Sequence, residues 1–437
     1  MAKTFRPWDV EQRWLLPPSV DELVPEGHLA HFVRDTMRDE LDLSEVMAAY
    51  DEERGYPPFH PVMMTALLLY AYCQGLYSSR RIAKACVERV DFMAVTGRSQ
   101  PDFRTVAKFR KRHLPALARL FEQVLRLCER AGMVQLGHVA LDGTKIKANA
   151  SKRKAMSYGR MKEIEPKLAA EVQSWFDRAE ADDAADDEKH GIDRTGDELP
   201  TWVVDKEQRR QRIQAAMAQL EAEARSEPDD DPPPTDGGAP PPRSESNADK
   251  APADKTQFNF TDPQSKIMKT ADGFIQGYNC QAAVDSAAQI IVAHEVVAAQ
   301  NDNDRLVPML DKIRRNTRRN PIELSADHGY LSEANLAALR RRKIRGYIAT
   351  GKELDLRAPS EKRAAARGPL TAQMRRRIKR GGFRSRYRLR KQTVEPVFGQ
   401  VKAGRQFARF SMRGLRAAGG EWALLCTAHN LLKLARR

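Results

Sequence analysis

Three acidic residues carry the strongest chemical signal in this chain. Asp142 closes the β-branched run GHVALD before Gly143, Asp327 closes PIELSAD before His328 and Gly329, and Glu395 lies within TVEPVFGQVKAG. Between Glu361 and Glu421, Glu395 is the only acid among eighteen Lys and Arg. A segment that basic suits a polyanion, because neutralising phosphates releases condensed counterions. A carboxylate opposes that purpose, so the one retained there implies a cation beside it. Oxygen ligands from three separate elements suit hard divalent ions, Mg2+ or Mn2+. Two such ions about 3.5–4 Å apart activate an attacking oxygen and stabilise the leaving oxygen of a phosphodiester. Magnesium retains water and takes few protein carboxylates, so three acids serve a pair of ions that share one of them.

The neighbours favour a phosphate substrate. Lys145 and Lys147 follow Asp142, and Tyr330 follows Asp327. Lys402 lies seven residues past Glu395, two turns along one helical face. Other candidates have plainer roles. Asp285 reads as a hairpin-turn residue, Asp302 and Asp304 as helix caps, and Trp175 and Trp202 as packing residues. Five scattered cysteines lack metal spacing and read as reduced core thiols.

The elements that must hold these acids alternate between strand and helix. GHVALDGTKIKA predicts a strand that ends at Gly143. FIQGYNCQAAVDSAAQIIVAHEVVA predicts an antiparallel hairpin, NDNDRLVPMLDKIRRN a capped helix, and PIELSADHGY a strand. SEANLAALRRRK is the next helix, RGYIAT the last strand, and a basic loop leads to a closing helix over TVEPVFGQVKAG. Val394, Val397, Phe398 and Val401 form its apolar stripe. Pro396 restricts that helix to a start within the preceding turn. Strand–helix–strand steps require at least one parallel pairing, so the fold class is α/β, a mixed sheet flanked by helices.

Two further segments frame this sheet. Residues 1–132 read as an all-α N-terminal domain that binds DNA. SRRIAKACVERV and QPDFRTVAKFRKRHL are joined there by the connection DFMAVTGRSQ, as in a helix-turn-helix. Arg104, Lys108, Arg110, Lys111 and Arg112 would form its basic face. Residues 133–150 begin the catalytic domain and 256–437 complete it. Between them, 151–255 read as an inserted helical hairpin and a disordered linker rich in Pro and Asp. The 437 residues carry a formal net charge of +15, which favours nucleic acid. No apolar run is long enough for a membrane span, and no secretory leader opens the chain.

The strings ALDGTKIKANAS, NFTDPQSKIMKTADGFIQGYNCQAAVD, SADHGYLSEANL and YRLRKQTVEPVFGQVK resemble those of insertion-sequence DDE transposases, whose catalytic domain is RNase H-like. The likeness runs nearly end to end, since FHPVMMTALLLYAYCQGLYSSRRIAKAC is similar to their helical N-terminal domain. It implies that Asp142, Asp327 and Glu395 bind two metal ions. The family's acidic helix reads Tyr, two residues, Arg, three residues, Glu, six residues, Lys. Glu395 and Lys402 match this spacing. Tyr387 and Arg390 stand one place early, with Arg388 and Lys391 in the expected positions. The DNA-positioning roles of Tyr387 and of Arg390 or Lys391 are therefore implied without a fixed register. The resemblance further implies binding of double-stranded DNA, both terminal inverted repeats and target. It also implies strand cleavage, joining of the 3′-hydroxyl ends, a homo-oligomeric synaptic complex, and a cytoplasmic, nucleoid-associated setting.

Overall fold

Val139, Ala140 and Leu141 are fully buried, as expected of a strand covered on both faces. They belong to β1 (His138–Lys147), the centre of the structure around which the other elements are arranged. The computed structural model describes residues 19–50, 57–151, 154–190, 201–226, 251–270, 273–351 and 368–437. The chain forms two compact units, Met1–Ala148 with Tyr278–Arg437, and Asn149–Gly277.

In the first unit, helices α1 (Leu29–Asp35), α2 (Ser44–Met47), α3 (Pro61–Cys73), α4 (Ser79–Glu88), α5 (Val90–Thr96) and α6 (Phe103–Arg130) precede β1. The expected connection DFMAVTGRSQ is helical over most of its apolar part. Burial of Phe92 and Val95 holds α5 in place, and Gly97 ends it in the left-handed region at φ 56°. Three packed helices thus replace the simple helix-turn-helix.

The second unit holds β2 (Ala155–Ser157), α7 (Tyr158–His190), α8 (Thr201–Ser226), β3 (Gln257–Asn259) and β4 (Lys266–Thr270). Here α7 and α8 bury Met161, Leu168, Ile213, Ala216 and Leu220 against Tyr158 and Phe258. Antiparallel pairing of β2 with β3 closes the base of that hairpin. The side chains of Trp175 and Trp202, and most of the expected Pro/Asp-rich linker, lie outside the described residues.

Strand β5 (Gly273–Asp285) pairs through its first half with β4 and returns the chain to the first unit at Tyr278. It turns into antiparallel β6 (Ile290–Val297) as predicted. Then follow α9 (Leu306–Thr317), β7 (Glu323–Ala326), α10 (Glu333–Arg341), β8 (Arg345–Ile348), α11 (Pro369–Gly381), α12 (Leu389–Gly399) and α13 (Leu415–Leu434). Within this unit the strands lie in the order β6-β5-β1-β7-β8, with β1, β7 and β8 mutually parallel. This is a mixed sheet of the RNase H-like α/β kind. The closing helix α13 packs on β6 and on α3 and α6, so the N-terminal helices share the core of the sheet. Cys73, Cys86, Cys128, Cys280 and Cys426 are buried free thiols, in line with the core-filling expectation.

Three local expectations need correction. Strand β1 does not end at Gly143: Thr144 and Ile146 continue it with inward side chains, as far as Lys147. The basic segment before the closing helix contains α11, whose first-turn N–H groups at Leu370 and Thr371 donate to the Glu333 carboxylate. Finally, Pro396 lies inside α12, seven residues after its start. A proline supplies no N–H to the carbonyl four residues back. That carbonyl, of Gln392, instead accepts from Gln289 Nε2 at 2.9 Å.

Candidate active site

The parallel register of β1 and β7 brings two of the acids together. Leu141 pairs with Ala326, so the next residues, Asp142 within β1 and Asp327 just past the end of β7, stand side by side. Ligands gather at such strand ends in α/β sheets. Asp142 is 13% exposed at its side chain, and its Oδ1 accepts from the Gly143 N–H at 2.9 Å. Asp327 caps the short turn His328–Tyr330, accepting from the Gly329 N–H at 2.9 Å.

The electrostatics are those of carboxylates crowded out of water. Burial pushes the Asp142 carboxyl up to about 7; Arg390 opposes that rise, while Asp327 and Asp302 reinforce it. Asp327 is raised by burial and by Asp302, again against Arg390. The neighbouring Tyr330 hydroxyl, buried beside all three aspartates, is raised far above its ordinary value. Like charges at short range disfavour ionisation, and only a cation relieves them.

Arg390 is the cation present. Its Nη1 donates to Asp142 Oδ2 at 2.6 Å, and its Nη2 forms an ion pair with Glu395 Oε1 at 3.0 Å, tying the third acid to the first. The Tyr387 ring lies 5.9 Å from the guanidinium carbon. Arg390 and Glu395 are five residues apart, about 140° round an α-helix, and the long arginine side chain spans that offset. Of the two basic residues left open by the sequence, Arg390 meets the acids; Lys391 points from an exposed position on the helix. Lys402 is exposed in the π-helical turn Gln400–Gly404. Because i→i+5 bonding winds less per residue, Lys402 lies further round from Glu395 than two α-turns would place it.

Lys145 is half-buried and Lys147 exposed on β1 beyond Asp142. Arg104, Lys108 and Lys111 are exposed on one face of α6. Arg110 does not join them. It is buried and donates to the Tyr72 hydroxyl, the Tyr77 carbonyl and Ser79 Oγ, so it fastens α6 to α3 and α4. Arg112 donates to the Ala49 carbonyl. Asp285, buried, accepts from the N–H groups of Ala287, Gln135 and Leu136, which makes it a turn residue that also anchors the approach to β1.

The expected cap role of Asp302 also needs correction. Its side chain makes no cap bond to the turn that it precedes. Instead Oδ1 accepts from Asn279 Nδ2 at 2.7 Å and Gln281 Nε2 at 2.6 Å, both on β5. Gln281 Oε1 in turn accepts from the Tyr330 hydroxyl. This network escaped the sequence because its partners are 21 and 23 residues from Asp302. A signal existed: Asn279 and Gln281 are two apart on one strand and therefore share a face.

The donor set suits a divalent cation, since oxygen ligands from carboxylates are what Mg2+ and Mn2+ take. Among the described residues no three His, Cys, Asp or Glu side chains converge closely enough to hold an ion. The Arg390 guanidinium instead pairs with both Asp142 and Glu395. No helix among the described residues is long and apolar enough to cross a membrane.

Residues 18–112 match the transposase domain DUF772, and residues 248–431 match the transposase DDE domain. Comparisons with curated proteins and with solved structures returned no match. Enzymes of the second family act on DNA and generally use divalent metals. Asp327 and Glu395 lie within the second match and Asp142 lies outside both; with one transposase domain matched over its helical start and another over most of its sheet, the chain belongs to the insertion-sequence DDE transposases, which cut DNA and transfer its strands.

Proposed function

We propose that this transposase cuts at the ends of its element through Asp142, Asp327 and Glu395 and then joins the freed 3′-hydroxyls to target DNA. The observation that carries this reading is the β1–β7 register, which sets Asp142 beside Asp327 while Arg390 ties Glu395 to the same point. The three carboxylates would hold two Mg2+ or Mn2+ ions. When bound, these ions supply the charge that activates an attacking oxygen and stabilises a leaving one.

The protein's own part is positioning. A sheet and a helix fix the three carboxylates, so little reorganisation is needed when DNA arrives. Arg390 has two anionic partners within reach: the carboxylates, which it neutralises in the metal-free protein, and a DNA phosphate. With divalent ions held by Asp142 and Glu395, Arg390 would turn from these acids to the phosphate. Tyr387 backs its guanidinium, and Lys391, Lys402, Lys145 and Lys147 carry the phosphate track past the acids. The helices of residues 1–132 bind the terminal inverted repeats, with Arg104, Lys108 and Lys111 on the DNA side. Two ends brought together for strand transfer require a synaptic homo-oligomer acting on nucleoid DNA.

The test is an in vitro reaction with the DNA ends that flank the reading frame. Wild-type protein with Mg2+ is expected to give nicked and then joined products. Nicked products that never join would point to a nuclease instead.

A further inference from the structure

Phe103 is an aromatic side chain at the surface, 37% exposed in the first turn of α6, and two guanidiniums lie over its ring. The guanidinium carbon of Arg80, on α4, is 5.0 Å from the ring centroid, and that of Arg104 is 5.6 Å from it. Such stacking restrains a guanidinium while leaving its N–H donors available. Arg89 and Arg112, the other ring-stacked arginines among the described part of residues 1–132, spend donors inside the protein. Arg89, over Phe92, bonds to Asp91, and Arg112, over Tyr50, donates to the Ala49 carbonyl. Among the described residues the Arg80 side chain makes no hydrogen bond or ion pair. The chain beside it is anchored, since buried Arg110 donates to Ser79 Oγ at 3.3 Å and to the Tyr77 carbonyl at 2.7 Å. Arg80 shares its face of α4 with Lys84 and Val87, both also exposed. Arg104, Lys108 and Lys111 lie exposed on α6, against which α4 packs. The surface thus offers cations for a phosphate backbone and, among them, one restrained planar donor with its N–H groups uncommitted.

We infer that Arg80, positioned by the Phe103 ring, reads a base edge in the terminal repeats, donating in a fork to guanine O6 and N7. The inference rests on the DNA-binding role proposed above for residues 1–132. Arginine is suited to that pair of acceptors because its donors lie in one plane at a fixed spacing. Contacts to the phosphate backbone need only charge, and a flexible lysine serves them as well as an arginine. A ring that restrains the guanidinium before DNA arrives lowers the ordering cost of a directional contact, and base recognition is the contact that uses direction.

The experiment measures binding of full-length protein to two fluorescent duplexes of equal length, one carrying a terminal repeat of the element and one of unrelated sequence. Arg80→Lys keeps the charge and loses the fork; Phe103→Leu keeps an apolar residue and loses the ring. The expected result for Arg80→Lys is at least about tenfold weaker binding of the repeat, with the unrelated duplex bound within about twofold of wild type. Phe103→Leu should weaken the repeat with the same selectivity. Replacing the guanines of the repeat in turn by 7-deazaguanine, which lacks the N7 acceptor, should find a position that weakens wild type and leaves Arg80→Lys unchanged. Binding of the repeat by Arg80→Lys within about twofold of wild type overturns the inference, as does equal weakening on both duplexes. Wild-type protein with no preference for the repeat contradicts the DNA-binding reading beneath it as well. A preference that survives Arg80→Lys contradicts only the role of Arg80.

Discussion

At the scale of single residues, the site is a set of acids held close together with one internal counter-ion. Arg390 is 14% exposed and bonded to Asp142, so its removal leaves a buried carboxylate without a partner. Removing one member of a buried pair typically costs about 3–5 kcal/mol. We expect about 2–4 kcal/mol for Arg390→Ala in the metal-free protein, because Asp142 can take up a proton and part of the pair reaches solvent. Asp142→Asn in the same chain should restore most of that loss, as denaturant unfolding of the two single variants and the double variant would show. Gly143→Ala is a second prediction at this scale. Its Cβ would lie 2.6 Å from Gln281 Nε2 and 2.8 Å from Asn279 Oδ1, so it should lower stability by about 1–3 kcal/mol and impair cleavage together. Asp142, Asp327 and Glu395 were legible in the sequence because each sits in a short, distinctive string. Asp302 was not, because what defines it is a hydrogen bond to a strand more than twenty residues away.

At the scale of elements, the strands were easier to read than the helix boundaries. β-branched runs with turn residues between them identified β1, β5, β6, β7 and β8. The helices at 90–96 and 369–381 were read as connections, because one is held by burial of Phe92 and the other by capping from Glu333 on a neighbouring helix. Tertiary contacts of that kind leave no local pattern. Pro396 shows the same principle in a helix interior, where Gln289 replaces the missing backbone donor. Gln289→Ala should therefore cost about 0.5–1.5 kcal/mol in the wild type and less in a Pro396→Ala background, measured by a double-mutant cycle. The packing of α13 on α6 is similarly specific. A Cβ on Gly420 would meet Leu114 Cγ at 2.5 Å, so Gly420→Ala is expected to destabilise by about 1–3 kcal/mol, with Leu114→Ala as a partial suppressor.

At the scale of the whole molecule, the helical start and the sheet share one core, in which His429 is buried and His294 half-buried. His294 and His429 are each held by burial as neutral imidazoles, with values pushed down to about 3 from the ordinary 6.5. The unfolded chain therefore binds more protons than the fold between those limits. Stability is full above about pH 6.5 and is lost as pH falls toward 3, and His429→Gln should flatten that acid limb in a melting-temperature series. The α/β class was legible from the order of elements. The contact of α13 with both α6 and β6 was not, since it joins segments 302 residues apart at Cys128 and Asn430 and 139 apart at Ile291 and Asn430. The central claim is that these three carboxylates serve one reaction, and the most direct measurement uses the element's own DNA ends with Mg2+. Asp142→Asn, Asp327→Asn and Glu395→Gln should each abolish cleavage, by a factor of at least about 10³, while retaining the wild-type affinity for those ends. Cleavage that survives in any one of the three, in protein that still binds the ends, contradicts the account.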